Sequence, residues 1–357
     1  MSGEKRPIAI SLFSGMGGLD LGVKKAGFKI ALQVDIDKYC IKTLEKNWKR
    51  VPKVQADISK VSGRDLLKMA KLSGRKVDLV VGGPSCQPFS RSNEGKRLGM
   101  KDKRGKLVIE FSRLIGELRP RAFLMENVAG LLSSNKGKDF KKLLRSFRKQ
   151  GYDVTYELIN SAAYGLPQKR VRLFIVGFSK KTEFRFPKQT HGNDDSLSPF
   201  VNSGEVIGDL DEQIYYDGKR TIGGKYGHLL NKIPPGMNYL YYTERFNRKN
   251  IIFKNRSKFW TFLLKLDPEQ PSTTIQARPG SFVGPFHWNN RRLTIKEIKR
   301  LQGIRDSYQV YGEDEKRSST IAWNQVGNSV PPPIAYIITK GIWDQLQRSK
   351  SYLRVNN

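Results

Sequence analysis

The sequence predicts an α/β protein with a Rossmann-like, doubly wound and mostly parallel sheet, accompanied by a smaller irregular domain. Three observations favour this fold. Short apolar runs alternate with helical patterns over the first half of the chain, a glycine-rich turn follows the first run, and the alternation stops near residue 179. With 357 residues, 38% of them hydrophobic, the chain is long enough for two domains with cores of their own.

Six short apolar runs are typical of β-strands, and most of them are separated by stretches long enough for a helix. They cover residues 8–13, 28–34, 77–81, 121–125, 152–159 and 171–178. Between the fourth and fifth runs, apolar residues recur with the i, i+3, i+4, i+7 spacing of a helix that ends before Gly151. The residues of that stripe are Phe140, Leu143, Leu144 and Phe147.

The second half of the chain has a different composition. From residue 179 to about 290 it is rich in Gly, Pro, Asn and aromatic residues, which predicts an irregular domain. Regular structure resumes with a predicted helix from Thr294 to Gln302, where Glu297 occupies the capping-box position, and an apolar run follows at 334–346. We therefore expect one domain from 1–178 plus 305–357 and a second from 179–304.

The charge of the chain predicts a polyanionic partner. Lys and Arg number 65 against 33 Asp and Glu, a formal net charge of +32, which favours nucleic acid over a membrane surface. No apolar run reaches the roughly 20 residues of a membrane span, and the N-terminus lacks a signal-peptide pattern. We expect a cytoplasmic, nucleoid-associated protein. Its two cysteines and three scattered histidines predict neither a disulfide framework nor a metal site.

A glycine turn after the first predicted strand indicates a nucleotide-type ligand. Gly15, Gly17 and Gly18 allow close approach of a ligand beside the N-terminus of a helix, although the spacing G-x-G-G differs from a dinucleotide fingerprint. Asp35 ends the next strand, where a carboxylate can accept ribose hydroxyls, and Asp57 follows as a third turn carboxylate. These residues predict an adenosine pocket, which NAD and S-adenosylmethionine would both suit.

A second set of polar residues follows the later strands. Cys86 stands in the turn GGPSCQPFS rather than in an apolar setting, so a nucleophile is favoured over a buried hydrophobic role, which suits Cys40 better. Glu126 and Asn127 follow the fourth predicted strand at the same sheet edge. The stretch QKRVRLF supplies Gln168, Arg170 and Arg172, and we expect the two arginines to point to one side of a strand. The edge thus combines a thiol, an acid and a guanidinium.

At this point six motifs resemble one family. SLFSGMGGLDLG, GGPSCQPFS, MENV, QKRVRLFIVGF, RRLTIKEIKRLQG and NQVGNSVPPP, in this order, are similar to motifs of the cytosine carbon-5 DNA methyltransferases of the bacterial and archaeal restriction-modification type. The resemblance covers most of the chain outside residues 179–289. It implies the S-adenosylmethionine-dependent methyltransferase fold, with a catalytic domain at 1–178 plus 305–357 and a target-recognition domain at 179–304.

The resemblance also implies a mechanism on a cytosine turned out of the duplex. Cys86, next to Gln87, would add to carbon 6 and so activate carbon 5 for methylation. Glu126 would act at N3 with Asn127 orienting it. Arg172 would pair with the cytosine O2, and Arg170 would meet a backbone phosphate.

The same resemblance assigns the cofactor as S-adenosylmethionine, with S-adenosylhomocysteine as product. Asp35 would hold the ribose, and Asp57 with Ile58 would lie on either side of the adenine. The implied lining comprises Phe13, Gly15, Met16, Gly17, Gly18, Leu19, Asp35, Ile36, Asp57, Ile58, Pro84, Asn328 and Val330.

For DNA, the segment 91–106 carries seven Lys or Arg and three Gly, which is typical of a mobile phosphate-contacting lid, although a solvated loop has the same composition. PSTTIQARPG at 271–280 resembles the closing stretch of the recognition region, with Thr273 also a candidate for base contacts. The expected DNA contacts are Ser90, Arg91, Lys96, Arg97, Gln168, Thr274, Gln276 and Arg278.

Departures from the family pattern are small. Pro-Ser-Cys-Gln replaces the usual Pro-Pro-Cys-Gln or Phe-Pro-Cys-Gln. After the helix of the motif RRLTIKEIKRLQG, Gly303-Ile304-Arg305-Asp306 stands where Gly-Phe-Pro-Asp is expected. Two alternatives remain: a transfer-RNA methyltransferase, whose Cys-Phe-Thr signature is missing here, and a DNA-binding relative without activity. We expect a monomer that acts on duplex DNA, in a prokaryotic host, separately from any cognate restriction endonuclease.

Overall fold

The computed structural model describes residues 6–72, 74–84, 105–210, 222–246, 249–254, 259–313 and 319–355, the last seven by backbone only. The chain divides into two compact units. Unit 1 consists of Met1–Asn160, Val171–Lys188 and Ser329–Asn357, and unit 2 of Ser161–Arg170 and Gln189–Asn328. The functions expected of the two sequence domains stay predictions.

Unit 1 contains a seven-stranded sheet. Its strands are β1 (Ile8–Leu12), β2 (Lys29–Asp35), β3 (Lys53–Gln55), β4 (Leu79–Gly82), β5 (Ala122–Val128), β6 (Asp153–Asn160) and β8 (Val171–Phe178), whereas β7 (Gln168–Lys169) belongs to unit 2. The order across the sheet is β3-β2-β1-β4-β5-β8-β6, and all strands run parallel except β8, which is antiparallel to both of its neighbours. The predicted mostly parallel α/β fold is confirmed. The predicted strands all form, whereas β3 was missed because it is short, polar and only partly buried.

Helices join successive strands from β1 to β6 in unit 1, and one further helix lies near the C-terminus. They are α1 (Gly18–Lys25), α2 (Lys38–Asn47), α3 (Gly63–Met69), α4 (Leu107–Leu118), α5 (Gly130–Ser133), α6 (Lys138–Lys149) and α10 (Pro332–Val355). α6 is the helix that the apolar stripe predicts, and its stripe is buried. α10 begins inside the run of three prolines, since proline is tolerated in the first turn of a helix.

The core of unit 1 lies between the sheet and the helices α4 and α6. Phe111, Phe123 and Phe147 pack there with ring centroids 4.3 to 6.4 Å apart. The strands β1, β4 and β5 contribute fully buried apolar side chains such as Ile10, Val80 and Met125. Burial on both faces explains why these strands read as continuous apolar runs.

Unit 2 has little regular structure among its described residues. β7 (Gln168–Lys169) and β9 (Ser272–Thr273) form a two-stranded parallel sheet, and the helices are α7 (Ser203–Ile207), α8 (Ile295–Leu301) and α9 (Ser319–Asn328). Thr294 caps α8 and Glu297 completes the predicted capping box. A cluster of aromatic and aliphatic side chains, including Tyr242 and Phe286, forms a separate core. No described helix is both long enough and apolar enough to cross a bilayer.

Candidate active site

The sheet of unit 1 has its topological switch point between β1 and β4. The chain proceeds from β1 to β2 and β3 on one side, and through β4 to β5 on the other. Leu12 and Gly82, the last residues of β1 and β4, are paired in the ladder. Open α/β sheets bind their ligands at the carboxyl ends of strands at such a point. The glycine turn and the segment leading to Cys86 therefore begin side by side.

The glycine turn is held by Asp35. Gly15 and Gly17 have positive φ angles of 55° and 91°, which glycine adopts without steric cost. The Gly15 amide donates to Asp35 Oδ2 at 2.7 Å, and the Asp37 amide donates to Oδ1 at 2.8 Å. Burial raises the pKa of the Asp35 carboxyl, while these bonds act in the opposite direction. No described atom lies within 4 Å of where a Cβ on Gly15 would stand, so the turn faces open space as far as the described residues extend.

A buried polar network beneath this turn was missed by the sequence reasoning. Ser11 Oγ and Gln33 Nε2 each donate to the Asp20 carboxylate at 2.6 Å. Ser14 Oγ donates to Ser11 Oγ and accepts from the Val34 amide. Desolvation raises the pKa of Asp20 to about 6. The signal in the sequence was three polar side chains inside apolar runs, which must be partnered when they are buried.

The residues expected around adenine occupy two different environments. Ile36 is 64% exposed directly after Asp35, where it offers an apolar surface beside the turn. Ile58 is only 3% exposed and belongs to the core of unit 1, which argues against the predicted contact of its side chain with adenine. Asp57 Oδ1 accepts both the amide and the hydroxyl of Ser59, and these bonds lower the pKa of Asp57.

The remaining cofactor candidates lie near α1 in unit 1, except Asn328, which lies in unit 2. Met16 and Leu19 are buried, and Phe13 packs on the core with a positive φ of 53°. A Cβ on Gly18 would stand 1.9 Å from Ser329 Oγ and 2.5 Å from the Val330 carbonyl, so only glycine fits there. The C-terminal segment that carries Val330 is thereby packed onto α1 of unit 1. In unit 2, Asn328 is exposed, and its Nδ2 donates to Asn324 Oδ1 at 2.6 Å.

The segment before Cys86 is attached to β5. Asn127 Nδ2 donates to the Pro84 carbonyl at 3.1 Å, and Asn127 Oδ1 accepts from the Val128 amide at 2.9 Å. Asn127 is completely buried. Its side chain therefore fixes the backbone two residues ahead of Cys86, whereas the predicted orientation of Glu126 by Asn127 stays a prediction.

An acid and a guanidinium meet at the same edge. Glu126 lies in β5 and Arg172 in β8, and the antiparallel register pairs Arg172 with Val128. Arg172 Nε lies 3.1 Å from Glu126 Oε1, and both side chains are largely buried. A Cβ on Gly83 would stand 3.2 Å from Glu126 Oε2, so the carboxylate lies directly over the start of the Cys86 turn. The predicted convergence of Glu126 and Arg172 at one edge is present.

Several predicted residues lie outside the described part of the chain. These are Cys86, Gln87, Ser90, Arg91, Lys96 and Arg97, together with most of the segment 91–106. Their predicted roles as nucleophile, neighbour and DNA contacts stay predictions.

Gln168 and Arg170 differ from expectation. Arg172 belongs to β8 in unit 1, whereas Arg170 lies after β7 in unit 2, so the two arginines do not share one face of one strand. Arg170 is 1% exposed and donates to the Ile275 and Gly327 carbonyls. Gln168 is completely buried and donates to the Leu301 carbonyl. Their burial argues against the predicted phosphate and DNA contacts. The alternating spacing of Arg170 and Arg172 predicted a single strand, but β7 ends at Lys169 and β8 begins at Val171 in a different sheet.

The recognition candidates lie along one segment of unit 2. Thr274 Oγ1 donates to the Lys169 carbonyl at 2.8 Å, Gln276 is partly buried, and Arg278 is exposed. Arg278 thus has access to solvent, whereas the hydroxyl of Thr274 is already occupied by the backbone.

Comparisons with known proteins agree with this arrangement. Residues 8–344 match the model of the C-5 cytosine-specific DNA methylase family. The type II methyltransferase M.SacI of Streptomyces achromogenes is 34% identical over 94% of this chain and 93% of its own length. M.MthTI of Methanothermobacter thermautotrophicus is 33% identical over 94% of this chain and 97% of its own.

Solved structures support the fold. A putative DNA modification methyltransferase from an Escherichia coli prophage superimposes with a TM-score of 0.64 at 24% identity over 96% of this chain and 99% of its own. The Dnmt2 methyltransferase of S. pombe gives a TM-score of 0.63 at 16% identity, covering 96% and 99%. With the family model spanning nearly the whole chain, the protein belongs to the C-5 cytosine-specific DNA methylases and is a DNA cytosine methyltransferase dependent on S-adenosylmethionine.

Proposed function

We propose that the protein methylates carbon 5 of a cytosine turned out of a short, specific duplex sequence, through a covalent bond between Cys86 and carbon 6. The observation that carries this proposal is the Glu126–Arg172 pair lying over Gly83, three residues before Cys86. An acid and a guanidinium fixed at the exit of β4 are what a thiol there needs as partners in attack on a pyrimidine.

The groups of this chain divide the work. The Cys86 thiolate attacks carbon 6, and a sulfur–carbon bond forms while electron density moves onto carbon 5. Glu126 holds a proton at N3, so charge does not build up on the ring. Arg172 interacts with O2 and with the Glu126 side chain, and these two contacts keep the guanidinium and the acid in position around the pyrimidine. After methylation the proton on carbon 5 leaves to a base, and the sulfur–carbon bond breaks.

Residues at the β1 and β2 edge fit the cofactor. The open space above Gly15, the Asp35 carboxylate and the exposed Ile36 suit a ribose with an adenine beside it. S-adenosylmethionine supplies an electrophilic methyl group when it is bound. Asp35 would hold the ribose hydroxyls, and Asp57 Oδ2, which accepts neither bond from Ser59, would accept from the adenine amino group.

The DNA contacts are divided between two stretches. Ser90, Arg91, Lys96 and Arg97 would meet phosphates around the everted base, whose extraction costs a few kcal/mol. Gln276 and Arg278 would face base edges in the groove, with Thr273 and Thr274 at the start of the same stretch. We infer that one copy of the chain acts on DNA in the cytoplasm, at the nucleoid, apart from any cognate endonuclease.

The two cysteines of the chain provide the test. Cys86→Ser should abolish methyl transfer from labelled cofactor to duplex DNA while DNA binding remains. Cys40→Ala is the matched control, because Cys40 is buried in α2, where burial raises its thiol pKa and keeps it protonated. Retained turnover in Cys86→Ser would exclude the nucleophile assignment.

The substrate is tested in the same assay. Duplex DNA and transfer RNA offered side by side should give labelled DNA, and conversion sequencing of plasmid from expressing cells should locate methylated cytosines within one short sequence. Preferential labelling of RNA would overturn the proposal.

A further inference from the structure

In unit 2, the stretch 167–170 forms hydrogen bonds with the start of the segment 274–278 and with the residues just before it. The pairing of β7 with β9 aligns Gln168 with Ser272, and the Ser272 amide donates to the Pro167 carbonyl at 2.9 Å. Gln168 Oε1 then accepts from the Ile275 amide at 3.3 Å. The start of the segment 274–278 is therefore attached to the short strand β7, and the residues after Ile275 leave the two-stranded sheet.

Arg170 extends this attachment. Its Nη1 donates to the Ile275 carbonyl at 3.3 Å, and its Nη2 donates to the Gly327 carbonyl at 3.0 Å. Gly327 lies in the last turn of α9, where the carbonyls carry the negative end of the helix dipole and stabilise a buried cation. Because a guanidinium presents several donors in a fixed plane, one side chain can reach both carbonyls.

The same helix supports the next two residues. Trp323 Nε1 donates to the Gln276 carbonyl at 2.7 Å. A Cβ on Gly327 would stand 2.7 Å from Ala277 Cα, so α9 lies directly against the segment. Positions 275, 276 and 277 are thus each fixed through their backbone, while Arg278 projects into solvent.

We propose that Arg170 is a positioning residue for sequence recognition. It bridges α9 to Ile275 and so sets the position of the backbone from which the side chains of Gln276 and Arg278 contact the DNA. This inference rests on the proposed function, in which those two side chains contact base edges. The guanidinium touches no DNA itself. Its effect is on the choice of sequence and the Michaelis constant for DNA, with a smaller effect on the chemical step.

The test measures discrimination, which is the ratio of methylation rates at the mapped target and at sites with one base changed. Arg170→Lys keeps the charge but cannot span two carbonyls, and we expect the ratio to fall by about tenfold, the scale of one base contact. Arg291→Lys is the matched control, since Arg291 is also buried in unit 2 but pairs with Glu297. It should leave the ratio unchanged even if the protein is less stable.

A second pair of variants separates this inference from the proposed function. Gln276→Ala should lower the ratio alone, and Arg170→Lys should then add less than its separate effect, because both act through one segment. If Gln276→Ala and Arg278→Ala both leave the ratio unchanged, the assignment of base contacts is wrong. If Gln276→Ala lowers the ratio and Arg170→Lys does not, the positioning role of Arg170 is wrong.

Gly327→Ala keeps the inference testable should Arg170→Lys fail to fold. Its new methyl group would press on the backbone of Ala277 and displace the segment, so the ratio should fall with Arg170 intact. An unchanged ratio in Gly327→Ala would contradict the proposal that α9 and Arg170 together set the position of the segment.

Discussion

The two units of this protein hold their functional residues in different ways. In unit 1, Glu126 and Arg172 lie on neighbouring strands of a seven-stranded sheet, and the ladder of backbone hydrogen bonds sets their separation. In unit 2, the segment 274–278 depends on individual side chains such as Arg170 and Trp323 that reach backbone carbonyls far away in the sequence. Regular structure thus positions the proposed catalytic pair, and side-chain contacts in a less regular region position the proposed DNA-reading segment.

The buried charges of the two units differ as well. Unit 1 buries Asp20 under the glycine turn, with neutral donors as partners. Unit 2 buries Lys265, whose Nζ donates to Asn290 Oδ1, and desolvation lowers its pKa to about 8. In both groups burial shifts the pKa in the direction that favours the neutral form, because burial disfavours charge. We therefore expect the free energy of unfolding to depend on pH over one range for unit 1 and over a different range for unit 2.

The largest expected effect separates chemistry from recognition. Glu126→Gln removes the acid while keeping the shape, and kcat should fall by about 10² to 10⁴. The melting temperature should fall as well, because Arg172 is left largely buried without its carboxylate partner, whereas the discrimination between DNA sites, which we assign to unit 2, should change little. Single-turnover methylation of the mapped duplex measures the effect.

Glu110→Gln is the control for that experiment. Glu110 lies in α4 and pairs with Arg113 rather than with Arg172, and its neutralisation should leave kcat unchanged. Equal losses in the two variants would mean that Glu126 acts only through stability.

The next effect concerns packing against a glycine in each unit. Gly18→Ala places a methyl group 1.9 Å from Ser329 Oγ, and it should destabilise unit 1 by about 3 kcal/mol and weaken cofactor binding. Gly208→Ala in unit 2 meets no described atom within 4 Å, so it should be nearly neutral. Urea titration and calorimetry with the cofactor compare the pair, and similar stabilities would show that α1 tolerates the extra volume.

A pH series tests the buried aspartate. Since native Asp20 has a pKa of about 6 and an unfolded aspartate about 3.8, the native state holds the extra proton between these values. The free energy of unfolding of the wild type should therefore fall relative to Asp20→Asn as pH rises from about 4 to 6. The full change is on the order of 2 to 3 kcal/mol, at about 1.4 kcal/mol per pKa unit.

Lys265 should give the opposite sign. Its native pKa is about 8 and the ordinary value 10.5, so between them the unfolded state holds more protons. Stability of the wild type should rise relative to Lys265→Met over that window. A flat difference for either variant would show that the group titrates normally in the folded protein.

The smallest effect compares two capping boxes. Thr294 caps α8 in unit 2, where Glu297 is fully buried and also binds Arg291, whereas Ser62 caps α3 on the surface of unit 1 with Asp65. Thr294→Ala should cost about 2 kcal/mol and Ser62→Ala about 0.5 kcal/mol, the two ends of the usual range. Thermal melts that rank them in the reverse order would contradict the role of burial.

Much of unit 1 could be predicted from sequence because its strands are buried on both faces. Apolar runs mark β1, β4 and β5 directly, and the glycine turn marks the sheet edge. The short, polar β3 carries no such signal. The buried role of Asp20 was missed because it depends on hydrogen bonds from Ser11 and Gln33. These two residues become neighbours only when β1 pairs with β2.

Unit 2 resists prediction for a different reason. Arg170 and Gln168 share a motif with Arg172, yet the chain passes from unit 2 to unit 1 between positions 170 and 171. Their partners, Ile275, Gly327 and Leu301, are more than 100 residues away, so no local pattern can place them. The side-chain contacts of irregular segments follow from tertiary structure alone.

One measurement tests the central claim most directly: incubation with S-adenosylmethionine and duplex DNA whose target cytosine carries fluorine at carbon 5. Because the last step removes a proton from carbon 5 and fluorine cannot leave in its place, the sulfur–carbon bond should persist. The account predicts a stable protein–DNA complex whose peptide map places the link on Cys86. A link to any other residue, or no link although the same duplex without fluorine is methylated, would contradict it.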